Sequence, residues 1–63
     1  MLKEYIAQII SRSGQDVEIW KVGDKFGFGF RLRYHNSKRW LPNLRGGYEY
    51  RSERQAIERA KTI

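Results

Sequence analysis

The 63-residue chain has no cysteine, one proline, one methionine and one histidine, His35. Without cysteine it forms neither disulfides nor thiolate zinc sites, two devices that often stabilise small domains. A single histidine and scattered carboxylates supply no metal site and no nucleophile–base arrangement. We therefore expect no metal, no cofactor and no enzymatic activity, and we interpret His35 as a solvated residue of a polar turn.

Long apolar runs are also missing. None approaches the roughly 20 residues of a membrane span, and the first residues mix apolar side chains with Lys3, Glu4 and Gln8, unlike a signal peptide. We expect a cytoplasmic protein with no membrane partner. Residues 1–63 are predicted to form a single small domain, whose core is compact because a chain of this size buries only about 60% of its unfolded surface.

Acidic residues are scarce, since 7 Asp and Glu face 13 Lys and Arg and leave a net charge of +6. In so small a domain this excess favours polyanionic partners, with nucleic acid before an acidic protein surface or anionic lipid. DNA or RNA is therefore the first expected partner, and a protein partner or a homodimer is the alternative.

A strict alternation does occur in residues 26–34, which read FGFGFRLRY. Every even position is apolar and every odd position is glycine or arginine, and a period of two predicts a strand with one buried and one open face. The even face is predicted core. On the odd face Arg31 and Arg33 follow the bare backbone of Gly27 and Gly29, and glycine inside a strand marks close approach by a side chain or a ligand.

Both ends of the chain predict helices. Residues 2–12 carry apolar side chains at positions 2, 5, 6, 9 and 10, the spacing of one helical stripe. Gly14 is the expected left-handed residue after this helix, and the stripe is predicted core, with a dimer face as the alternative. Residues 53–63 predict a second helix, because Ser52 and Gln55 form a capping box. Its apolar stripe comprises Ala56, Ile57, Ala60 and Ile63.

Two further strands are predicted, at residues 17–22 and 39–44, joined to the central strand by turns at 23–25 and 35–38. Pro42 makes the third strand an edge strand or one that breaks midway. Residues 45–47 are a flexible connection, and residues 48–50 are extended. The predicted fold class is α+β, in the order α-β-β-β-α, with a three-stranded antiparallel meander sheet and two helices packed on one face.

Cross-strand pairing favours one register for the first hairpin, because it gives Gly29 an aromatic cover and an arginine a carboxylate. A slip by one residue would instead bury Trp20 opposite Phe28. In the third strand, apolar counting favours Trp40 and Leu44 inside. In the opposite phase Leu41 packs under Leu32 and Trp40 lies beside Arg33. The favoured pairs of the first hairpin are Val17–Leu32, Ile19–Phe30, Glu18–Arg31 and Trp20–Gly29.

Basic and aromatic side chains together point to nucleic acid. Arginine forks suit phosphates and guanine edges, and tryptophan suits unpaired bases. A protein–protein module or homodimer using the same Trp/Gly/Arg face is the alternative. The candidate nucleic-acid-binding residues are Trp20, Lys25, Arg31, Arg33, Lys38, Arg39 and Arg45. A separate basic surface on the last helix comprises Arg51, Arg54, Arg59 and Lys61.

The predicted element order resembles that of double-stranded-RNA-binding domains, and residues 51–56, RSERQA, are similar in position to the basic start of their second helix. Residues 17–63 alone resemble the three-strands-plus-helix layout of integrase arm-binding domains and of a class of plant DNA-binding domains. The second resemblance implies that the open sheet face enters the major groove, with Arg31 and Arg33 on that face.

Overall fold

The computed structural model describes residues 2–63. Within these residues four strands form an antiparallel meander in the order β1-β2-β3-β4, and one helix packs on one face of the sheet. The predicted arrangement of two helices and three strands is wrong, although the class remains α+β. The elements are β1 Leu2–Ile10, β2 Asp16–Asp24, β3 Gly27–Tyr34, β4 Glu49–Tyr50 and α1 Glu53–Thr62.

The predicted first helix is the strand β1, which contains a β-bulge. Tyr5 and Ala7 pair with consecutive residues of β2, so Ile6 is the extra residue. Tyr5 therefore lies on the face away from α1, whereas Ala7 and Ile9 pack against the core. Because a bulge reverses the phase of the alternation, apolar residues become neighbours in sequence and mimic a helical stripe.

The connection from β1 to β2 contacts the end of α1. Gly14 has φ +85°, the left-handed conformation that we predicted, but it serves a turn between strands. The backbone N–H of Arg12 donates to the carbonyl of Lys61 at 2.8 Å, and the Ser13 hydroxyl donates to the carbonyl of Ile63 at 2.7 Å. These bonds satisfy carbonyls at the end of the helix that intrahelical donors do not reach.

The helix α1 confirms the prediction for the C-terminal segment. Ser52 has extended backbone geometry, and its hydroxyl accepts from the Gln55 N–H at 3.1 Å. Ala56 and Ala60 are fully buried against the sheet, where their small side chains permit close approach of the helix backbone. The buried core comprises Val17, Ile19, Phe30, Leu32, Ala56 and Ala60.

The first hairpin pairs two residues away from the predicted register. The turn consists of Lys25 and Phe26, because Asp24 already pairs with Gly27. A shift of two keeps every side chain on its predicted face and changes only its partner. The observed pairs include Val17–Tyr34, Glu18–Arg33, Ile19–Leu32, Trp20–Arg31 and Val22–Gly29.

The even face of residues 26–34 is core only in part. Phe30 is 9% exposed and Leu32 is buried, but Phe28 is 60% exposed and Phe26 86%. A ten-residue helix spans about 15 Å, whereas the nine-residue strand β2 spans about 30 Å. The helix therefore leaves the hairpin end of this face uncovered, and the prediction that Phe26 and Phe28 are core is wrong.

The predicted strand 39–44 is reduced to a short bridge. Trp40 pairs with Arg33, and the Leu41 N–H donates to the Leu32 carbonyl at 2.8 Å. The chain leaves β3 at Pro42, which has no N–H to donate, and returns as β4, where Glu49 and Tyr50 pair with β3.

Residues 39–44 adopt the alternative phase, in which Leu41 faces the core and Trp40 faces away from it. Leu41 packs against the core, Leu44 is exposed, and Trp40 is half-buried on the face away from α1. The prediction that Trp40 and Leu44 face inward is wrong, because β3 presents Arg33 rather than a core residue to Trp40.

Candidate nucleic-acid interface

The sheet face opposite α1, called here the open face, carries aromatic and charged side chains from every part of the meander. Tyr5 of β1 meets the Trp20 ring edge-on, with centroids 5.6 Å apart. The bulge in β1 turns Lys3 and Tyr5 toward this face. The central side chains of the open face are Lys3, Tyr5, Glu18, Trp20, Arg31, Arg33 and Trp40.

Cations and tryptophan rings alternate across the open face. The Arg33 guanidinium lies 4.6 Å from the Trp20 ring centroid and 5.4 Å from that of Trp40. The Lys3 ammonium lies 5.2 Å from Trp20, and the Arg31 guanidinium lies 5.6 Å from Trp40. Cations at these distances are attracted to the ring faces, so each arginine is held against a tryptophan ring.

Glu18 anchors Arg33 beneath this surface. Its side chain is 5% exposed, and its carboxylate accepts from Arg33 Nε at 2.5 Å and from Trp20 Nε1 at 2.9 Å. Burial raises the pKa of the Glu18 carboxyl, but hydrogen bonds from Arg33, Trp20 and His35 and the charge of Arg33 outweigh burial and lower the pKa to about 2. Glu18 is thus ionised and largely neutralises Arg33.

His35 is a partner of Glu18 rather than a simply solvated turn residue. Its Nδ1 lies 2.6 Å from Glu18 Oε2, and an ionised carboxylate only accepts hydrogen bonds, so Nδ1 carries the proton. The ammonium of Lys38 lies 3.7 Å from the same oxygen. The second turn therefore brings two further basic side chains to the margin of the open face.

Gly29 is covered by Glu49, not by Trp20 as predicted. A Cβ atom at Gly29 would lie 3.0 Å from Glu49 Oε2. Arg31 Nη2 lies 3.3 Å from Glu49 Oε1, and within residues 2–63 the buried Nε of Arg31 has no acceptor. Packing accounts for Gly29, and Arg31 is held beside Glu49 and the Trp40 ring.

The structure brings four of the seven predicted residues together, because Trp20, Arg31 and Arg33 lie on the open face and Lys38 lies at its margin. Of the others, Lys25 lies in the first turn, Arg39 is exposed beside Trp40, and Arg45 lies in the turn at residues 43–47. The side chains that line a groove with Arg45 include Tyr50, Arg51, Arg54 and Arg59.

Sequence reasoning missed Lys3 and Tyr5, because both were assigned to a helix. The signal that could have found them is the β-branched character of Ile6, Ile9 and Ile10, which favours a strand. Trp40 was also missed, since it was placed in the core.

Comparison of the chain with protein-family models, curated proteins and solved structures found no match. Residues 2–63 hold no helix with the length and apolarity needed to cross a bilayer. A functional proposal for this chain therefore depends on the chemistry of its own surfaces.

Proposed function

We propose that the chain binds nucleic acid through the open face, as a small basic domain without a catalytic step or cofactor. One observation carries the proposal: α1 leaves this face uncovered, and cations meet two tryptophan rings on it. Phosphate neutralisation by Lys and Arg supplies much of nucleic-acid affinity, and aromatic rings and guanidiniums stack on bases. The net charge of +6 adds long-range attraction.

The open face divides into a support and a contact surface. Arg33 is 14% exposed and is bonded to Glu18, so it mainly holds Trp20 and Trp40 in position. The contact surface comprises the more accessible cations and one ring, namely Lys3, Arg31, Lys38, Arg39 and Trp40. Arg31 is its central member, because its side chain is 24% exposed and its guanidinium lies beside both Glu49 and the Trp40 ring.

The proposal predicts that the double substitution Lys3→Glu with Lys38→Glu weakens binding of a 20-nucleotide single strand or a 20-base-pair duplex by at least about 10-fold, since phosphate contacts become repulsive. Fluorescence anisotropy at fixed salt measures the affinity.

The matched control is Arg54→Glu with Lys61→Glu, which changes the net charge equally on α1, across the sheet from the open face. We expect its affinity to stay within about threefold of the unsubstituted chain, because distant exposed charges are screened. Equal losses in both double variants would mean that only net charge matters, and would contradict a site on the open face.

A homodimer or a protein partner on the same face is the second candidate. It is favoured by β1, an edge strand with unpaired backbone on its outer side and with exposed Tyr5 and Ile10. Sedimentation at low and high concentration distinguishes the two. A dimer that Tyr5→Lys dissociates, in a chain that binds no oligonucleotide, would replace the nucleic-acid proposal.

A further inference from the structure

The end of the β2–β3 hairpin, residues 23–28, is called here the hairpin tip, and it exposes large apolar side chains. Phe26 is 86% exposed and Phe28 is 60% exposed, and exposed Leu2 lies across the sheet opposite Gly23. Because α1 does not reach this end, no element in residues 2–63 covers the two phenyl rings.

The hairpin tip is a tight and well-supported turn. Asp24 Oδ1 accepts from the Phe26 N–H at 2.8 Å. At Gly23 a Cβ atom would lie only 2.5 Å from Phe28 Cβ, so the two strands approach as closely as glycine permits. Phe26 is thus presented at the end of a tight turn, where its ring is free to contact a ligand.

Cations accompany both exposed rings. The Lys25 ammonium lies 5.2 Å from the Phe26 ring centroid, and the Lys21 ammonium lies 4.1 Å from that of Phe28. In a dimer formed through the hairpin tip, Lys21 and Lys25 of one copy would face the same lysines of the other, and their repulsion disfavours such a dimer. Flat apolar groups flanked by negative charge complement the tip, and nucleobases between phosphates have that chemistry.

The hairpin tip is continuous with the open face. A shallow hollow joins the two, lined by Phe26 and Gly27 at one end and by Arg31 and Glu49 at the other. The five residue steps from Phe26 to Arg31 span about 17 Å, which corresponds to about five nucleotide steps along one strand of B-form DNA. One strand of nucleic acid is therefore long enough to contact both.

We propose that Phe26 stacks on a nucleobase of the nucleic acid held by the open face, with Lys25 on a flanking phosphate. This inference rests on the proposed function. The same stacking chemistry applies to an unpaired base of a single strand and to a base step opened in a duplex.

The test compares Phe26→Ala with Leu44→Ala, which removes a similarly exposed apolar side chain, 84% exposed, from the loop before β4. Single-stranded and duplex 20-mers carry 2-aminopurine at successive positions. We expect Phe26→Ala to weaken binding by about 10-fold, because one stacked base is worth about that factor. We also expect it to abolish the 2-aminopurine fluorescence change at saturation, and to leave the salt dependence of binding unchanged.

Each outcome separates this inference from the proposed function. A fluorescence change only in the single-stranded arm identifies an unpaired base, and a change in the duplex arm identifies an opened step. Unchanged affinity and fluorescence in Phe26→Ala overturn the stacking role, while the open face stands if Lys3→Glu with Lys38→Glu still loses affinity. Loss of affinity in Phe26→Ala alone, with full binding in the double variant, places the site at the tip instead of the open face. A dimer that Phe26→Ala dissociates assigns the tip to a second copy.

Discussion

Glu18 shows how one buried carboxylate organises the open face. It is bonded to Arg33, Trp20 and His35, and Lys38 lies within 4 Å. Reversing the charge of Arg33 would place a second carboxylate beside it, so a double Arg31→Glu with Arg33→Glu substitution would disturb the fold as well as the binding surface. Lys3 and Lys38 are the cleaner positions for testing binding, because Lys3 is exposed and the Lys38 side chain is 56% exposed, so that a carboxylate at position 38 can turn away from Glu18 into solvent.

The low pKa of Glu18 makes the stability of the fold depend on pH. The carboxyl titrates at 4.5 in the unfolded chain and at about 2 in the folded protein. Its stabilisation is therefore complete above pH 4.5 and is lost as the pH falls toward 2. We expect Glu18→Gln to lower the free energy of unfolding by about 3 kcal/mol at pH 6, and this difference to shrink toward zero near pH 2, in urea titrations at both pH values.

The matched control for this measurement is Glu49→Gln, which removes a carboxylate from an exposed ion pair with Arg31. Exposed pairs contribute at most about 1 kcal/mol, so its stability should stay close to that of the unsubstituted chain throughout. A Glu18→Gln difference that is independent of pH would show that the buried carboxylate is not the titrating group.

Elements differ in how far local sequence specifies them. The start of α1 depends on Ser52 and Gln55, which are three residues apart, and it was predicted correctly. The phase of β1 depends on the bulge at Ile6, which exists only because β2 lies beside it. The register of the first hairpin depends on a two-residue turn at Lys25 and Phe26, whereas the sequence pattern predicted the turn at residues 23–25.

The hairpin β2–β3 requires glycine at position 23. A Cβ atom there would overlap Phe28 Cβ and the Gly27 carbonyl oxygen, so we expect Gly23→Ala to destabilise the fold by about 2 kcal/mol or more. Gly47→Ala is the control, because its new Cβ would meet only Asn43, at 3.5 Å. Thermal unfolding compares the two, and equal melting temperatures would contradict the close approach of the strands.

The whole molecule has two unlike sides. One sheet face is packed on α1 and holds the core, whereas the other carries the tryptophans and the cations. The cations of the contact surface come from β1, from β3 and from the turn after β3, so they form one surface only in the folded chain. The net charge of +6 is distributed over the whole sequence and does not by itself indicate this surface.

The contact surface predicts the salt dependence of binding. If Lys3, Arg31, Lys38 and Arg39 each neutralise one phosphate, log K should fall against log salt with a slope of about −3 to −4 for a duplex. Lys38→Gln should make the slope shallower by about one unit, whereas Lys61→Gln, on α1 across the sheet, should leave it unchanged. Titrations at several salt concentrations measure the slopes, and an unaltered slope for Lys38→Gln would remove that residue from the interface.

The sequence by itself determined the α+β class, the helix α1 with its cap, the central strand to within one residue, and the placement of Trp20, Arg31 and Arg33 on one face. These features follow from local capping and from a period of two, which need only neighbours in the chain. Tertiary structure decided the identity of β1, the pairing of Glu18 with Arg33, the outward position of Trp40 and the exposure of Phe26. The first three depend on which strand, distant in sequence, lies beside each segment, and the exposure of Phe26 depends on how far the ten-residue helix reaches. Spacing of residues within one segment encodes neither property.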